Sequence, residues 1–202
     1  MHRALAISLI LCGALSAADP SLFVREDWTD TGPALPVTKE HVANPELVLA
    51  LHGPGKSVVK KSFHKWVPND PHYIWSGVTS ARWALSLSKG NGRQGDLSAG
   101  RVRWRTKQAG FMYLHIIVET ADGQWFVSEG SEGPAGNWHV SEYALADTKW
   151  RVLDIESVVE KTWGTPDLSR VRSVGFTDLS IGGWSDSSTR LDWIKVYGKP
   201  VN

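Results

Sequence analysis

Residues 111–128 read FMYLHIIVETADGQWFVS, and this stretch decides the fold class. Apolar side chains recur at every second position, which is typical of a β-strand with one buried face. Asp122-Gly123 lies between the two alternating runs, and this dipeptide favours a two-residue turn that joins antiparallel strands. The sequence therefore predicts a β-hairpin in which Val118 lies opposite Val127.

The predicted pairing sorts the side chains of this hairpin onto two faces, because directly opposed residues share a face. The apolar face, which we expect to pack in the core, consists of Met112, Leu114, Ile116, Val118 and Val127. The opposite face consists of Tyr113, His115, Ile117, Glu119, Phe126 and Ser128.

Similar short alternating runs fill the rest of the chain, separated by Gly, Asp, Asn and Pro. They predict an all-β, single-domain protein, an antiparallel two-sheet β-sandwich or jelly roll over residues 19–202. A brief helix is an alternative at Ile155–Trp163. The predicted strands are Glu46–Leu51, Ala81–Leu87, Gly100–Thr106, Phe111–Thr120, Gln124–Ser128, Trp138–Tyr143, Lys149–Asp154, Val171–Asp178 and Thr189–Tyr197.

Residues 1–18 have the pattern of a secretory signal peptide. A basic start is followed by an apolar run and by small residues before Asp19. We therefore expect a secreted protein, periplasmic or extracellular, rather than an integral membrane protein. The single cysteine, Cys12, lies in this segment, so the mature chain has no thiol for disulfides or zinc.

The overall composition favours carbohydrate over nucleic acid as a partner. Lys and Arg number 22 against 21 for Asp and Glu, so bulk charge gives no reason for nucleic acid to bind. The chain has 11 tryptophans, whose wide rings either fill a β-sandwich core or stack on sugars. Neither a phosphate-binding glycine loop nor a hydrolase motif occurs, so no organic cofactor is expected.

Arg101, Arg103 and Arg105 alternate with Val102 and Trp104, so the arginines share one face of their strand. If this strand pairs with the next one along the chain, the arginines lie beside Tyr113, His115 and Phe126. Such a surface suits a polysaccharide, because arginine binds carboxylate or sulfate in a bidentate manner. The alternative is a solvated face whose charges pair with nearby acids.

The same surface has a catalytic interpretation. His115 and Tyr113 could abstract and return a proton while the arginines neutralise a uronic acid, which is the chemistry of β-elimination. Over these two strands the pattern resembles jelly-roll polysaccharide lyases. A structural surface protein without a small ligand is a third alternative.

The loop between residues 60 and 75 is rich in aromatic and polar side chains. Trp66, Tyr73 and Trp75 are candidates for stacking on sugars. The alternative is that these rings fold back and fix the loop to the sandwich.

Two terminal segments resemble those of galactose-binding-like carbohydrate-binding modules. They are LFVREDW at residues 22–28 and RLDWIKVYG at residues 190–198. The resemblance implies a secreted bacterial β-sandwich that binds carbohydrate. It also implies a structural Ca²⁺ held by Asp192 together with Glu26 or Asp27. The alternative for Asp192 is an ordinary polar residue between Leu191 and Trp193.

Overall fold

The computed structural model describes residues 20–77, 80–181 and 187–201; the predicted signal peptide and Trp184 lie outside these ranges. The described chain is almost entirely β, with single 3₁₀ turns at Lys39–His41 and Lys56–Val58. The strands are β1 Leu22–Glu26, β2 Leu47–His52, β3 Lys60–Ser62, β4 Tyr73–Trp75, β5 Ala84–Lys89, β6 Gln94–Ala109, β7 Leu114–Thr120, β8 Trp125–Glu132, β9 His139–Ala144, β10 Trp150–Asp154, β11 Val159–Gly164, β12 Val171–Thr177 and β13 Ser188–Val201.

The strands pair antiparallel in two layers, which confirms the predicted β-sandwich. The first sheet has the order β2-β5-β12-β7-β8-β10-β11. The second has β9-β6-β13 at its centre, and the free edge of β13 pairs with β1 and with the β3–β4 hairpin. The layers join at one corner, where Gly95 of β6 pairs with Val171 of β12. A Cβ at Gly95 would lie 2.7 Å from the Phe23 ring, so a larger residue at this corner would have to displace that ring.

The main core lies between the two sheets. Each central strand contributes every second residue, as the alternation predicted: Val102 and Trp104 come from β6, Leu114, Ile116 and Val118 from β7, and all five are at most 1% exposed. Each fully buried side chain of this size contributes about 1.5–3 kcal/mol of hydrophobic stabilisation. Tryptophan therefore serves largely as core material here; the buried ones are Trp28, Trp83, Trp104, Trp125 and Trp150.

The hairpin at Asp122-Gly123 forms, but with a three-residue loop in place of the predicted two-residue turn. The amide of Thr120 donates to the carbonyl of Gln124 at 3.0 Å, which leaves residues 121–123 as the loop. Gly123 has φ 83°, the left-handed conformation expected at the last position of such a loop. The Asp122 carboxylate accepts hydrogen bonds from the Thr120 hydroxyl at 2.6 Å and the Gln124 amide at 3.2 Å.

The longer loop shifts the register of the hairpin by one residue. Val118 pairs with Phe126, and Glu119 pairs with Trp125. A one-residue shift exchanges the two faces of a strand. Phe126 therefore packs in the main core, 3% exposed, and Val127 packs on the opposite side of the sheet. The predicted positions of these two side chains were wrong.

The predicted neighbour of β6 was also wrong. Within the described ranges β6 pairs with β9 and β13 and touches β12 at one residue, whereas β7 pairs with β8 and β12. Trp104 and Ile116 face the same core from opposite layers. Because side chains alternate along a strand, Arg103 and His115 project from opposite outer surfaces of the sandwich.

Residues 155–163 are not helical, which corrects the alternative made from the sequence. Val159–Gly164 is strand β11, which pairs with β10 as the edge of the first sheet. Consecutive β-branched residues favour a strand over a helix. Val158 packs, fully buried, in a second apolar cluster on the outer face of the first sheet; its other buried members are Ala84, Ile117, Trp125, Val127 and Leu153.

In the portion of the chain that the structure describes, no helix has the length and apolar character that a membrane span requires.

Candidate ligand-binding face

The second sheet turns one face to the core and the other to solvent. On β6 the even-numbered side chains from Val102 to Gln108 are buried, whereas Arg101, Arg103, Arg105 and Lys107 point outward. We call the outer surface of β1, β3, β4, β6, β9 and β13 the arginine face. The strand alternation predicted for residues 101–105 explains why these arginines point to the same side.

Neighbouring strands add more cations to the arginine face. Lys195 of β13 lies in register between Arg103 of β6 and Arg25 of β1. Farther along, Arg190 lies in register with Lys107 and, on its other side, with Trp75. Eight cations of these strands contribute to this face: Arg25, Lys60, Arg101, Arg103, Arg105, Lys107, Arg190 and Lys195. The buried Lys61 of β3 and Lys199 near the end of β13 are not counted among them.

Aromatic rings lie between the cations. The Arg101 guanidinium lies 4.4 Å from the centre of the Tyr197 ring, and the Lys195 ammonium lies 4.9 Å from that of Trp193. Trp75 has the Lys60 ammonium at 4.9 Å. These contacts hold flat rings and positive charges next to each other on one open surface.

Acidic side chains neutralise only part of this charge. Arg105 forms an ion pair with Asp192 at 2.6 Å, and Arg101 forms one with Glu142 at 3.4 Å. Burial raises the pKa of Asp192, and the hydrogen bond from Arg105 opposes part of that shift. Within the described ranges, no ion pair within 4.0 Å is made by Lys60, Arg103, Lys107, Arg190 or Lys195.

A cleft lies at the end of the arginine face, beneath the loop between β3 and β4. Its volume is about 350 Å³, and it is lined by His64, Val67, Asp70, Lys107, Trp138 and Arg190. The Asp70 carboxylate holds the loop by accepting from the His64 amide at 2.5 Å. Trp138 forms the opposite wall, with its ring centre 5.5 Å from that of Tyr73 and 5.4 Å from the Arg105 guanidinium.

The aromatic candidates from the loop region have different surroundings. Trp75 lies on the arginine face, half-buried among cations, and Trp66 lies at the loop surface with 86% of its area exposed. Tyr73 is 2% exposed beneath the loop, so its ring fixes the loop to the sheet. No local pattern in the sequence indicates Trp138 and Arg190 as site residues, because the strand pairing that brings them to the cleft is non-local.

His115 and Tyr113 lie apart from this face. The Nδ1–H of His115 donates to the carbonyl of Ser128 at 2.8 Å, and burial lowers the pKa of the imidazole. Tyr113 is 49% exposed in the turn before β7. The expectation that these two side chains and the arginines form one site is therefore wrong, as is the inclusion of Phe126, which lies in the core.

The proposed calcium ligands each have another partner. The Glu26 carboxylate is fully buried and accepts hydrogen bonds from the amides of Trp28, Ala43 and Asn44 at 2.7, 2.7 and 3.1 Å. Asp27 pairs with Arg25 at 2.6 Å. Together with the Asp192–Arg105 pair, these contacts do not fit a shared Ca²⁺ site. The described ranges hold no group of three or more His, Cys, Asp or Glu side chains suited to a metal.

Thermal unfolding with and without a chelator checks this assessment. We expect the same unfolding midpoint in excess EDTA and in added CaCl₂. A Ca²⁺ ion bound to the folded state would raise this midpoint as its concentration rises, because ligand binding stabilises the folded state by mass action. An unfolding midpoint that rises with calcium concentration would instead support the Ca²⁺ site predicted from the sequence.

No family model matches the sequence, and no curated protein does so either. Among solved structures, the chain is similar to the family 11 carbohydrate-binding module of the cellulosomal cellulase Lic26A-Cel5E of Clostridium thermocellum, with 18% identity and a TM-score of 0.50 over 84% of this chain and 96% of that one. A CBM29-2 variant matches at 12% identity, with a TM-score of 0.44 over 83% and 92% of the two chains. The chain has a β-sandwich fold similar to that of the family 11 carbohydrate-binding module.

Proposed function

We propose that this chain is a secreted protein that binds a polysaccharide across the arginine face, with the cleft beside Trp138 as the centre of the site. The observation that carries the proposal is the joint presence, on one open sheet face, of indole rings, cations and a cleft. The similarity in fold to a carbohydrate-binding module is consistent with this role.

The chemistry of the face suits sugar recognition. Indole rings stack on the C–H faces of pyranose rings. Trp138 lines the cleft, and the exposed Trp66 precedes Val67 of the cleft wall in the chain, so both are candidates for this contact. Charged donors such as Lys107 and Arg190 then fix the orientation of the sugar through hydrogen bonds. The outer face of the first sheet leaves less surface open to a ligand, because the buried apolar cluster that includes Ile117, Trp125 and Val158 occupies part of it.

The lyase alternative loses the geometry on which it depended. Its first proton-transfer residue, His115, projects from the surface opposite to the arginines that were to bind the uronate, and Tyr113 lies outside the sheets in the segment before β7. Incubation with uronate-containing polysaccharides, followed by the absorbance of the unsaturated product, tests this alternative directly. We expect no product.

Replacement of Trp66 with alanine tests the binding proposal. We expect affinity to fall roughly fivefold to tenfold, the loss of one stacking contact. The unfolding midpoint is expected to stay the same, because the ring is 86% exposed. Affinity gel electrophoresis across a panel of polysaccharides, followed by calorimetry on the ligand found, measures the effect.

Trp163→Ala is the matched control, since this ring is 52% exposed on the edge strand β11 of the other sheet. The control is expected to bind as the unaltered chain does. If the Trp66→Ala and Trp138→Ala variants both bind as tightly as the unaltered chain, the binding site lies elsewhere.

A further inference from the structure

The charges of the arginine face point to the class of polysaccharide that it binds. We propose that the ligand is an anionic polysaccharide, with sulfate or carboxylate groups repeated along the chain. This inference rests on the proposed function, because it specifies the ligand of the same face.

The first argument is an excess of positive charge on the face. Eight cations of its strands are named above, whereas the carboxylates on these strands or directly after them, apart from the buried Glu26, are Asp27, Asp96, Glu142 and Asp192. The whole chain has a formal net charge of only +1, so this excess is a local asymmetry rather than a property of the protein as a whole. A neutral glycan could accept hydrogen bonds from these side chains but would not be attracted by their net charge.

The second argument is the register of the like charges. Arg103 and Lys195 are direct cross-strand partners, as are Lys195 and Arg25. Lys107 and Arg190 form a further pair of this kind. Like charges directly opposite each other destabilise a sheet. An anion bound between the two cations would relieve this repulsion. Binding of an anionic ligand would therefore also stabilise the folded sheet.

The third argument is the spacing. Outward residues on one strand lie about 6.7 Å apart, so the line from Arg101 to Lys107 extends over about 20 Å. Adjacent strands repeat the charge at about 4.8 Å. A single small anion would engage one or two of these cations. A polymer with regularly repeated sulfate or carboxylate groups engages the whole line, and guanidinium groups bind such oxyanions with two parallel hydrogen bonds.

The experiment compares glycans that differ in charge. The full-length mature chain is titrated with a sulfated galactan, the same galactan after chemical desulfation, polygalacturonate and a neutral mixed-linkage β-glucan, each at two or more salt concentrations. We expect the sulfated or the carboxylated polymer to bind roughly tenfold or more tightly than its neutral counterpart, and the preference to shrink as salt is raised.

Two variants locate the effect. Arg103→Gln should weaken binding of the charged polymer by up to roughly fivefold, and a double variant with Lys107→Gln by more. Arg172→Gln is the control, because Arg172 is an exposed arginine on β12 in the other sheet. It should bind as the unaltered chain does.

The outcomes separate the two proposals. Equal affinity for the charged and neutral polymers would overturn the anionic preference and leave polysaccharide binding intact. Failure to bind any glycan would overturn both. Binding of single-stranded DNA as tight as that of the sulfated galactan would also overturn the inference, since the face would then respond to any polyanion.

Discussion

Replacement of Glu26 with alanine is expected to lower the free energy of unfolding by about 3 kcal/mol or more. Glu26 Oε1 accepts from the amides of Trp28 and Ala43, and Oε2 accepts from the amide of Asn44. These bonds tie the end of β1 to the segment that precedes β2. Without the carboxylate, three amides that are buried or partly buried lose their acceptor, and each unsatisfied donor costs about 1–3 kcal/mol. Urea unfolding followed by tryptophan fluorescence measures the change.

Two further variants make this result specific. Glu26→Gln keeps the oxygen that accepts hydrogen bonds from two amides but presents an NH₂ group to the third amide. The glutamine variant should therefore lose less unfolding free energy than the alanine variant. Glu156→Ala removes an exposed glutamate and should change stability little. A loss below about 1 kcal/mol in Glu26→Ala would show that water replaces the carboxylate at these amides.

Asp178 is expected to make the protein less stable as pH rises from 4 to 7. The side chain is 5% exposed and accepts from the Thr189 hydroxyl at 3.2 Å and the Ser180 amide at 3.1 Å. Burial raises the pKa of this carboxyl from 3.8 to about 6. A carboxyl whose folded-state pKa lies above its unfolded value stabilises the fold while protonated, and this contribution is lost as pH rises through about 6.

The Asp178→Asn variant isolates this contribution. The difference in unfolding free energy, variant minus unaltered chain, should increase by about 2 kcal/mol between pH 4 and pH 7. Asp167→Asn is a control of opposite sign, because hydrogen bonds from Ser169 lower the pKa of that exposed carboxyl. A difference for Asp178→Asn that does not change with pH would mean that water reaches the carboxylate.

The strands that the sequence predicted are those with a local signal. Period-two alternation identified the segments that form β2, β5 to β10, β12 and β13. Each of these strands buries one face, so its own residues alternate between apolar and polar whatever strand lies beside it. β3 and β4 have three residues each, too few to show a period. They are stabilised by pairing with each other and with β13, which no local pattern records.

The site shows the same division. That Arg101, Arg103 and Arg105 share an outward face follows from strand geometry, and the structure agrees. Their neighbours do not follow from it. The nearest strand in sequence, β7, lies in the other sheet, and the arginines have β13 and β9 beside them. The aromatic partners are accordingly Tyr197 and Trp138 rather than the ring of Phe126.

By itself, the sequence determined the all-β sandwich, most of its strands and, on strands such as β6 and β7, which side chains face the core. These properties depend on backbone alternation and on the burial of apolar groups, and both act between residues close in the chain. Only the tertiary structure decided which strands adjoin, the one-residue register of the 120–124 loop and the separation of His115 from Arg103 onto opposite surfaces. Those properties depend on pairings between segments far apart in the sequence, where many arrangements bury similar apolar area and the packing of the whole core selects one of them.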